Sequence, residues 1–139
     1  MRIKYIALLL AVLPMAAFAQ NSPVGRWKTY DEDTAKPRLI VDVYEAKDGT
    51  IAARVVETLF APDAVCEACS GTSKNKPIKD MVILWGLKKD GDGYKGGTVL
   101  KLANGKTYKS RARLLDGGSK LEVSGCVGFI CKHQTWTRE

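Results

Sequence analysis

The chain has 139 residues, with 22 Lys and Arg against 15 Asp and Glu, a formal net charge of +7, and 45% hydrophobic residues. Its length suits one domain, with no low-complexity tract, internal repeat or linker. The basic excess is spread along the sequence and forms no block, which argues against nucleic acid as a partner.

Residues 1–19 read as a secretory leader. Arg2 and Lys4 form a positive n-region, Tyr5 to Leu13 a short apolar stretch, and Ala17-Phe18-Ala19 a small-residue cleavage site. The apolar stretch is too short to span a bilayer with normal flanks, and no longer one follows, so the processed protein is not expected to cross a membrane. Cleavage before Gln20 removes Arg2 and Lys4 and no acid, leaving a net charge of +5. Position 20 is not cysteine, which argues against lipoprotein anchoring. Residues 20–139 are then one domain, about 120 residues that bury roughly two-thirds of their unfolded surface. The expected location is periplasmic or secreted.

Eight strands are predicted. Gly25 to Asp31 is the first. In the second, Arg38 to Glu45, Leu39, Val41 and Val43 share a face opposite Arg38 and Asp42. Lys47-Asp48-Gly49 turns the chain into Thr50 to Thr58, where Ile51, Ala53 and Val55 alternate with Ala52, Arg54 and Val56. Leu59 to Asp80 is too broken by proline, glycine and cysteine for a long helix. Met81 to Leu87 is continuously apolar, which predicts a strand buried on both faces or a wall beneath a lid. Asp90 to Gly93 is a turn. Tyr94 to Leu102 follows, and its Gly96-Gly97 pair marks a bulge or bend. Asn104-Gly105 is the strongest hairpin signal in the chain. In Lys106 to Leu115, Tyr108, Ser110, Ala112 and Leu114 face one way and Lys109, Arg111 and Arg113 the other. Gly117-Gly118 leads into Lys120 to Cys126, with Leu121 and Val123 as core, and His133 to Arg138 ends the chain with Trp136 and Arg138 on one face.

Short strands at regular spacing with tight turns predict an all-β fold: an eight-stranded antiparallel up-and-down barrel, or a sandwich. Gly25-Arg26-Trp27 at the start and Trp136-Thr137-Arg138 at the end resemble the lipocalin-like (calycin) barrels. There a first-strand tryptophan is covered by an arginine near the chain end. This favours the barrel and assigns Gly25, Trp27, Trp136 and Arg138 structural roles. The runner-up, an immunoglobulin-type sandwich, lacks the Cys…Trp…Cys spacing.

In such a barrel, loops alternate between the ends. Cys66 and Cys69, after strand three, fall at the same rim as Cys126 and Cys131 after strand seven, opposite Trp27 and Arg138. In an oxidising compartment two disulfides are expected, with three pairings open; Cys66–Cys69 with Cys126–Cys131 is preferred for its short spacings. Crossed pairings would close longer loops and contribute about 4 kcal/mol each against roughly 2 for the smallest. Two sharper readings compete: a redox Cys66-Glu67-Ala68-Cys69, which lacks the helix N-terminus that lowers a thiol pKa, and a four-thiolate zinc site, disfavoured by compartment. No metal or cofactor is therefore predicted.

No catalytic residue is assigned. His133 is the lone histidine and reads as a surface residue, because nothing in the sequence orients it against Cys126 or Cys131. Asp31-Glu32-Asp33 lacks the regular spacing of oxygen ligands and reads as a solvated loop. Lys109, Arg111 and Arg113, with Lys95 and Lys101, form a basic outer stripe, ordinarily the wet face of a sheet. It is also where anionic lipid or an envelope protein would sit. Trp27, Val41, Val55, Trp85, Tyr94, Tyr108, Leu121 and Trp136 are expected inside. Of these, Trp85, Tyr94, Tyr108, Val41 and Val55 are the ligand-binding candidates if the barrel is open.

The chain also resembles the domain-of-unknown-function 2147 family of exported bacterial proteins. The matching stretches are Pro23 to Trp27, Cys66 to Cys69 with Asn75-Lys76-Pro77, Ile83 to Leu87, Asn104 to Tyr108, Leu121 to Gly125 and Thr135 to Arg138. The resemblance implies a lipocalin-like fold and no established activity. Lys101-Leu102-Ala103 departs from it where a proline is expected, and the Cys126/Cys131 pair is an addition, read as local stapling. Three functions remain: a periplasmic carrier or sensor of a small hydrophobic or amphipathic ligand, a ligand-free envelope interaction module, and, least favoured, an enzyme using its cysteines.

Overall fold

A computed structural model describes residues 10–12 and 21–139. The cleavage site and most of the predicted leader lie outside the described residues. Eight strands close into one antiparallel up-and-down barrel, each paired with its sequence neighbours. They are β1 (Gly25–Tyr30), β2 (Pro37–Glu45), β3 (Ile51–Thr58), β4 (Val82–Asp90), β5 (Gly93–Lys101), β6 (Lys106–Leu115), β7 (Lys120–Val127) and β8 (Ile130–Arg138). The strand count and order follow the alternation and turn signals, and the sandwich is excluded. Only β8 begins clearly earlier than expected, at Ile130. It is extended by direct pairing of Val127 with Ile130 and Cys126 with Cys131. Among the described residues no helix is long and apolar enough to cross a membrane.

With β1 starting at the lower end, the loops 31–36, 59–81, 102–105 and 128–129 are all at the upper end. The inner face follows the period of two. On β6, Ser110 and Ala112 are buried while Lys109, Arg111 and Arg113 are exposed. On β3, Ile51, Ala53 and Val55 are buried and Arg54 is exposed. The expected irregularity at Gly96-Gly97 is a register shift between Tyr94 and Gly97 in the β5–β6 pairing.

Strand β4 departs from expectation. It is not buried on both faces: Val82 is 37% and Trp85 38% exposed, while Ile83, Leu84 and Leu87 are buried. Two register shifts against β3, either side of Ala53, break the alternation. The inward positions go to Ile83, Leu84 and Leu87, and Trp85 is left on the outer wall.

The lower end is a closed plug. Trp27 is fully buried, and its indole Nε1–H donates to the Pro23 carbonyl at 2.8 Å. The Arg138 guanidinium lies 4.3 Å from the centre of the Trp27 ring. Its three nitrogens donate to the carbonyls of Gly118 (2.9 Å), Val24 (3.1 Å) and Ser22 (2.8 Å). One planar cation thus stacks on the tryptophan and ties three segments together. Burial pulls its pKa down from the usual arginine value. Gly25 is required here: its φ is +135°, and a Cβ would stand 3.0 Å from Arg138 Nη1.

Both disulfides are local, Cys66–Cys69 and Cys126–Cys131, and both lie at the upper end. The sulfurs are therefore not free for a four-thiolate zinc site. The first pair is almost fully buried and belongs to the core with Ile78 from the same connection. Backbone bonds between Cys66 and both Asn75 and Lys76, and between Ala64 and Ile78, fold residues 59–81 back on themselves. That connection rests on the β5–β6 turn so closely that a Cβ on Gly105, φ +70°, would overlap the Ala68 carbonyl. Glycine in the strong Asn104-Gly105 signal thus serves both the turn and the seating of the loop. The second disulfide joins directly paired residues on the outer face of the β7–β8 hairpin.

Candidate functional site

The upper half of the barrel holds a cavity of about 510 Å³, within the usual range for small-molecule sites. Its inner walls include Leu39, Ile83, Val99, Val123 and Trp136. Trp136 is 2% exposed and lies in both the cavity lining and the core. Its indole Nε1–H donates to Gln134 Oε1 at 3.2 Å, so a ligand would meet the apolar ring and not an unpaired donor.

The cavity exists because the barrel closes unevenly. Strands β1 and β8 are paired only at Trp27–Arg138 and Lys28–Thr137, near the plug. Above that, side chains bridge the two sides. The Tyr30 hydroxyl and Thr137 Oγ1 are 2.7 Å apart. Glu32, in the β1–β2 loop, accepts a hydrogen bond from Gln134 Nε2 at 2.8 Å and one from Lys101 Nζ at 3.2 Å. The Gln134 bond, with smaller help from Lys101 and Lys132, holds the Glu32 carboxyl below its ordinary pKa. Glu32 is therefore a charged strap across the mouth. From it a continuous series of bonds runs through Gln134 to Trp136.

The acidic run is accordingly three different things. Asp31 folds its own loop: its carboxylate accepts the backbone N–H of Asp33 and Thr34, each at 2.9 Å, and faces Arg38 at 3.4 Å. Those N–H groups lower its pKa, Thr34's most. Glu32 is the strap, and Asp33 is exposed. Among the described residues no group of three or more His, Cys, Asp or Glu is arranged to hold a metal ion.

The ligand-binding candidates are dispersed by the structure. Tyr108 lines the cavity. Val41 and Val55 face inward but are fully buried in the core, and neither contributes to the cavity wall. Tyr94 is half-buried near the lower end, with Lys89 Nζ 5.1 Å from its ring centre. Trp85 is outside. Four further residues of the wall face inward: Leu39 and Val99 lie toward the upper ends of β2 and β5, and Val123 and Gln134 form a directly paired step midway along β7 and β8. Alternation along a strand gives the side a residue faces but not its height, so it does not separate these from Val41 and Val55.

Outside the barrel, Ser124 Oγ lies 2.7 Å from His133 Nδ1, a partner for the lone histidine that the sequence did not reveal. Glu122 approaches the same ring nitrogen at 3.7 Å while accepting from Arg113. A nucleophile–base–acid relay needs its serine and its acid on opposite ring nitrogens. Both are on Nδ1 here, so the trio is a cross-strand polar ladder.

Comparison with known proteins agrees with this geometry. A solved structure, described as "Protein HP1028 from the human pathogen Helicobacter pylori belongs to the lipocalin family", superposes with a TM-score of 0.74 at 24% identity, covering 86% of this chain and 84% of that one. At that identity the likeness speaks for the fold alone. No curated protein matches the sequence significantly. The family model described as "Uncharacterized protein conserved in bacteria (DUF2147)" matches residues 25–138, which is every strand of the barrel. The chain therefore belongs to the DUF2147 family and carries its sequence on a lipocalin-like barrel.

Proposed function

We propose that this protein is an exported, non-enzymatic carrier or sensor that holds one small amphipathic molecule in the upper half of its barrel. The observation that carries this reading is the cavity of about 510 Å³ with an apolar inner wall and a charged mouth. The apolar part of the ligand would lie against Val99, Val123 and Trp136. Its polar or anionic head would stay at the mouth beside Lys101 and Lys132. Apolar burial at about 25 cal/mol per Å² would supply most of the affinity.

Export is supported by the predicted leader and by two disulfides, which persist in oxidising compartments. A non-enzymatic role is supported by the burial of Cys66 and Cys69, 2% and 3% exposed, which shields the Cys66-Glu67-Ala68-Cys69 disulfide from an attacking thiolate.

The test is native mass spectrometry of the purified protein, followed by titration with a fluorescent fatty-acid probe. A small-molecule adduct lost on denaturation, or saturable probe binding abolished by Val99→Trp in a folded barrel, is the expected result. Probe binding that persists unchanged in Val99→Trp would refute this site.

A further inference from the structure

The β7–β8 hairpin ends in Val127-Gly128-Phe129-Ile130. Val127 is 66% exposed, Ile130 77%, and Phe129 107%, more than in an extended peptide reference. A two-residue turn is a position where polar residues ordinarily cost nothing. Here three large apolar side chains project into solvent at the end of a convex tip. The tip is also held rigid: Val127 pairs with Ile130 across it, and the Cys126–Cys131 disulfide lies one step below. Apolar side chains presented on a pre-ordered hairpin lose little entropy on inserting elsewhere.

On the hairpin's own side of the mouth the charge near the tip has one sign. No acid occurs between Ser124 and Gln134, nor on β6 from Lys106 to Leu115. Exposed Lys132 lies on the hairpin. Exposed Lys109 pairs with Cys126 from the adjacent strand, with Lys106 above it. Across the mouth stand three acids: Asp31 faces Arg38, Glu32 is paired with Lys101, and Asp33 is exposed. A narrow convex apolar tip collared by lysines fits a bilayer interface better than a flat protein surface. Its aromatic and branched side chains reach the acyl boundary while the ammonium groups meet anionic headgroups.

We propose that this hairpin tip docks the protein onto anionic lipid membranes by inserting Phe129 and Ile130. Val127 and Ile130 also line the barrel cavity, so docking brings the mouth against the lipid surface. The docking itself does not depend on the cavity holding a ligand.

The test is co-sedimentation of the purified protein with vesicles of equal parts phosphatidylglycerol and phosphatidylethanolamine, against vesicles of phosphatidylcholine alone. Binding to the anionic vesicles is expected, reduced about tenfold by Phe129→Asp and again by Ile130→Asp. Lys109→Glu with Lys132→Glu should erase the preference for anionic over neutral lipid. Phe129→Trp should gain emission that shifts to the blue on the anionic vesicles, after subtraction of the parent spectrum. Phe129 lies outside the core, so these variants should melt with the parent protein. Vesicle binding unaffected by Phe129→Asp, no binding to the anionic vesicles, or an unshifted Phe129→Trp spectrum would each overturn the proposal. So would a concentration-dependent dimer that Phe129→Asp abolishes without any lipid binding, which would assign the tip to a second copy.

Discussion

The two ends of this barrel are made from the same eight strands and do opposite things. At the lower end, backbone pairing of β1 with β8, the buried Trp27 and a guanidinium bonded to three carbonyls leave no space. At the upper end the same two strands are bridged by side chains, and about 510 Å³ remains open. The difference teaches how a small barrel can be stable and hollow together. Backbone closure of β1 onto β8 and the charge-assisted hydrogen bonds of Arg138 are concentrated in one half. The other half is held by its neighbours and by short covalent staples, and is free to vary its contents.

The largest effect should come from breaking the plug. Trp27→Ala removes a fully buried indole and the surface on which Arg138 stacks. It should cost about 3–5 kcal/mol, a large share of a typical domain's stability, read as a collapse of the urea midpoint. Arg138→Lys keeps the charge, but a single ammonium cannot serve three carbonyls in a plane. A loss of about 2 kcal/mol is expected. If Arg138→Lys melts with the parent protein, the plug is held by shape alone.

A matched pair sharpens the contrast between the halves. Val55→Ala in the closed core should cost about 2 kcal/mol. Val99→Ala on the cavity wall should cost less than about 1 kcal/mol, because its side chain already borders open space. Equal losses would mean that the upper half is packed like the lower.

The smallest effect on stability, though not on access, should come from the strap. Glu32 has its folded-state pKa lowered below the ordinary 4.5. Its stabilising contribution is therefore fully present above that value and is lost as pH falls through the depressed folded pKa. The carboxylate is well exposed, so solvent screening leaves little effect on the melting temperature. Probe association with the cavity, followed by stopped flow, should accelerate as the pH is lowered through this window. Glu32→Gln should already be fast at neutral pH and insensitive to acid.

Much of this was legible in the chain. The alternation in Arg38 to Glu45 and Lys106 to Leu115, with glycine turns at Gly49, Gly91 and Gly105, marked strands whose hairpin connections make neighbours of consecutive elements. Trp27 and Arg138 marked the plug, since a barrel returns its last strand to its first. Counting strands placed all four cysteines at one rim. Two features are not legible there. An apolar run looks buried throughout and so points Trp85 inward, but register shifts against β3 give the inward positions to Ile83, Leu84 and Leu87. Val41 and Val55 face inward as the alternation predicts but lie in the closed core and not on the cavity wall, since periodicity reports a direction perpendicular to the strand and nothing along it.

The sequence by itself thus determined the strand number and their antiparallel order, because these follow from period and turn chemistry, properties of neighbouring residues; the plugged end follows from the resemblance of the first and last strands to lipocalin-like barrels, and short spacing favours the local disulfides without excluding the crossed pairings. The tertiary structure alone decided where the barrel stays hollow, that Glu32 reaches Gln134 across 102 positions of sequence, and that the stapled tip of β7–β8 stands bare. Those outcomes depend on how strands β1 and β8 diverge above their short pairing, and that divergence is set by all eight strands together.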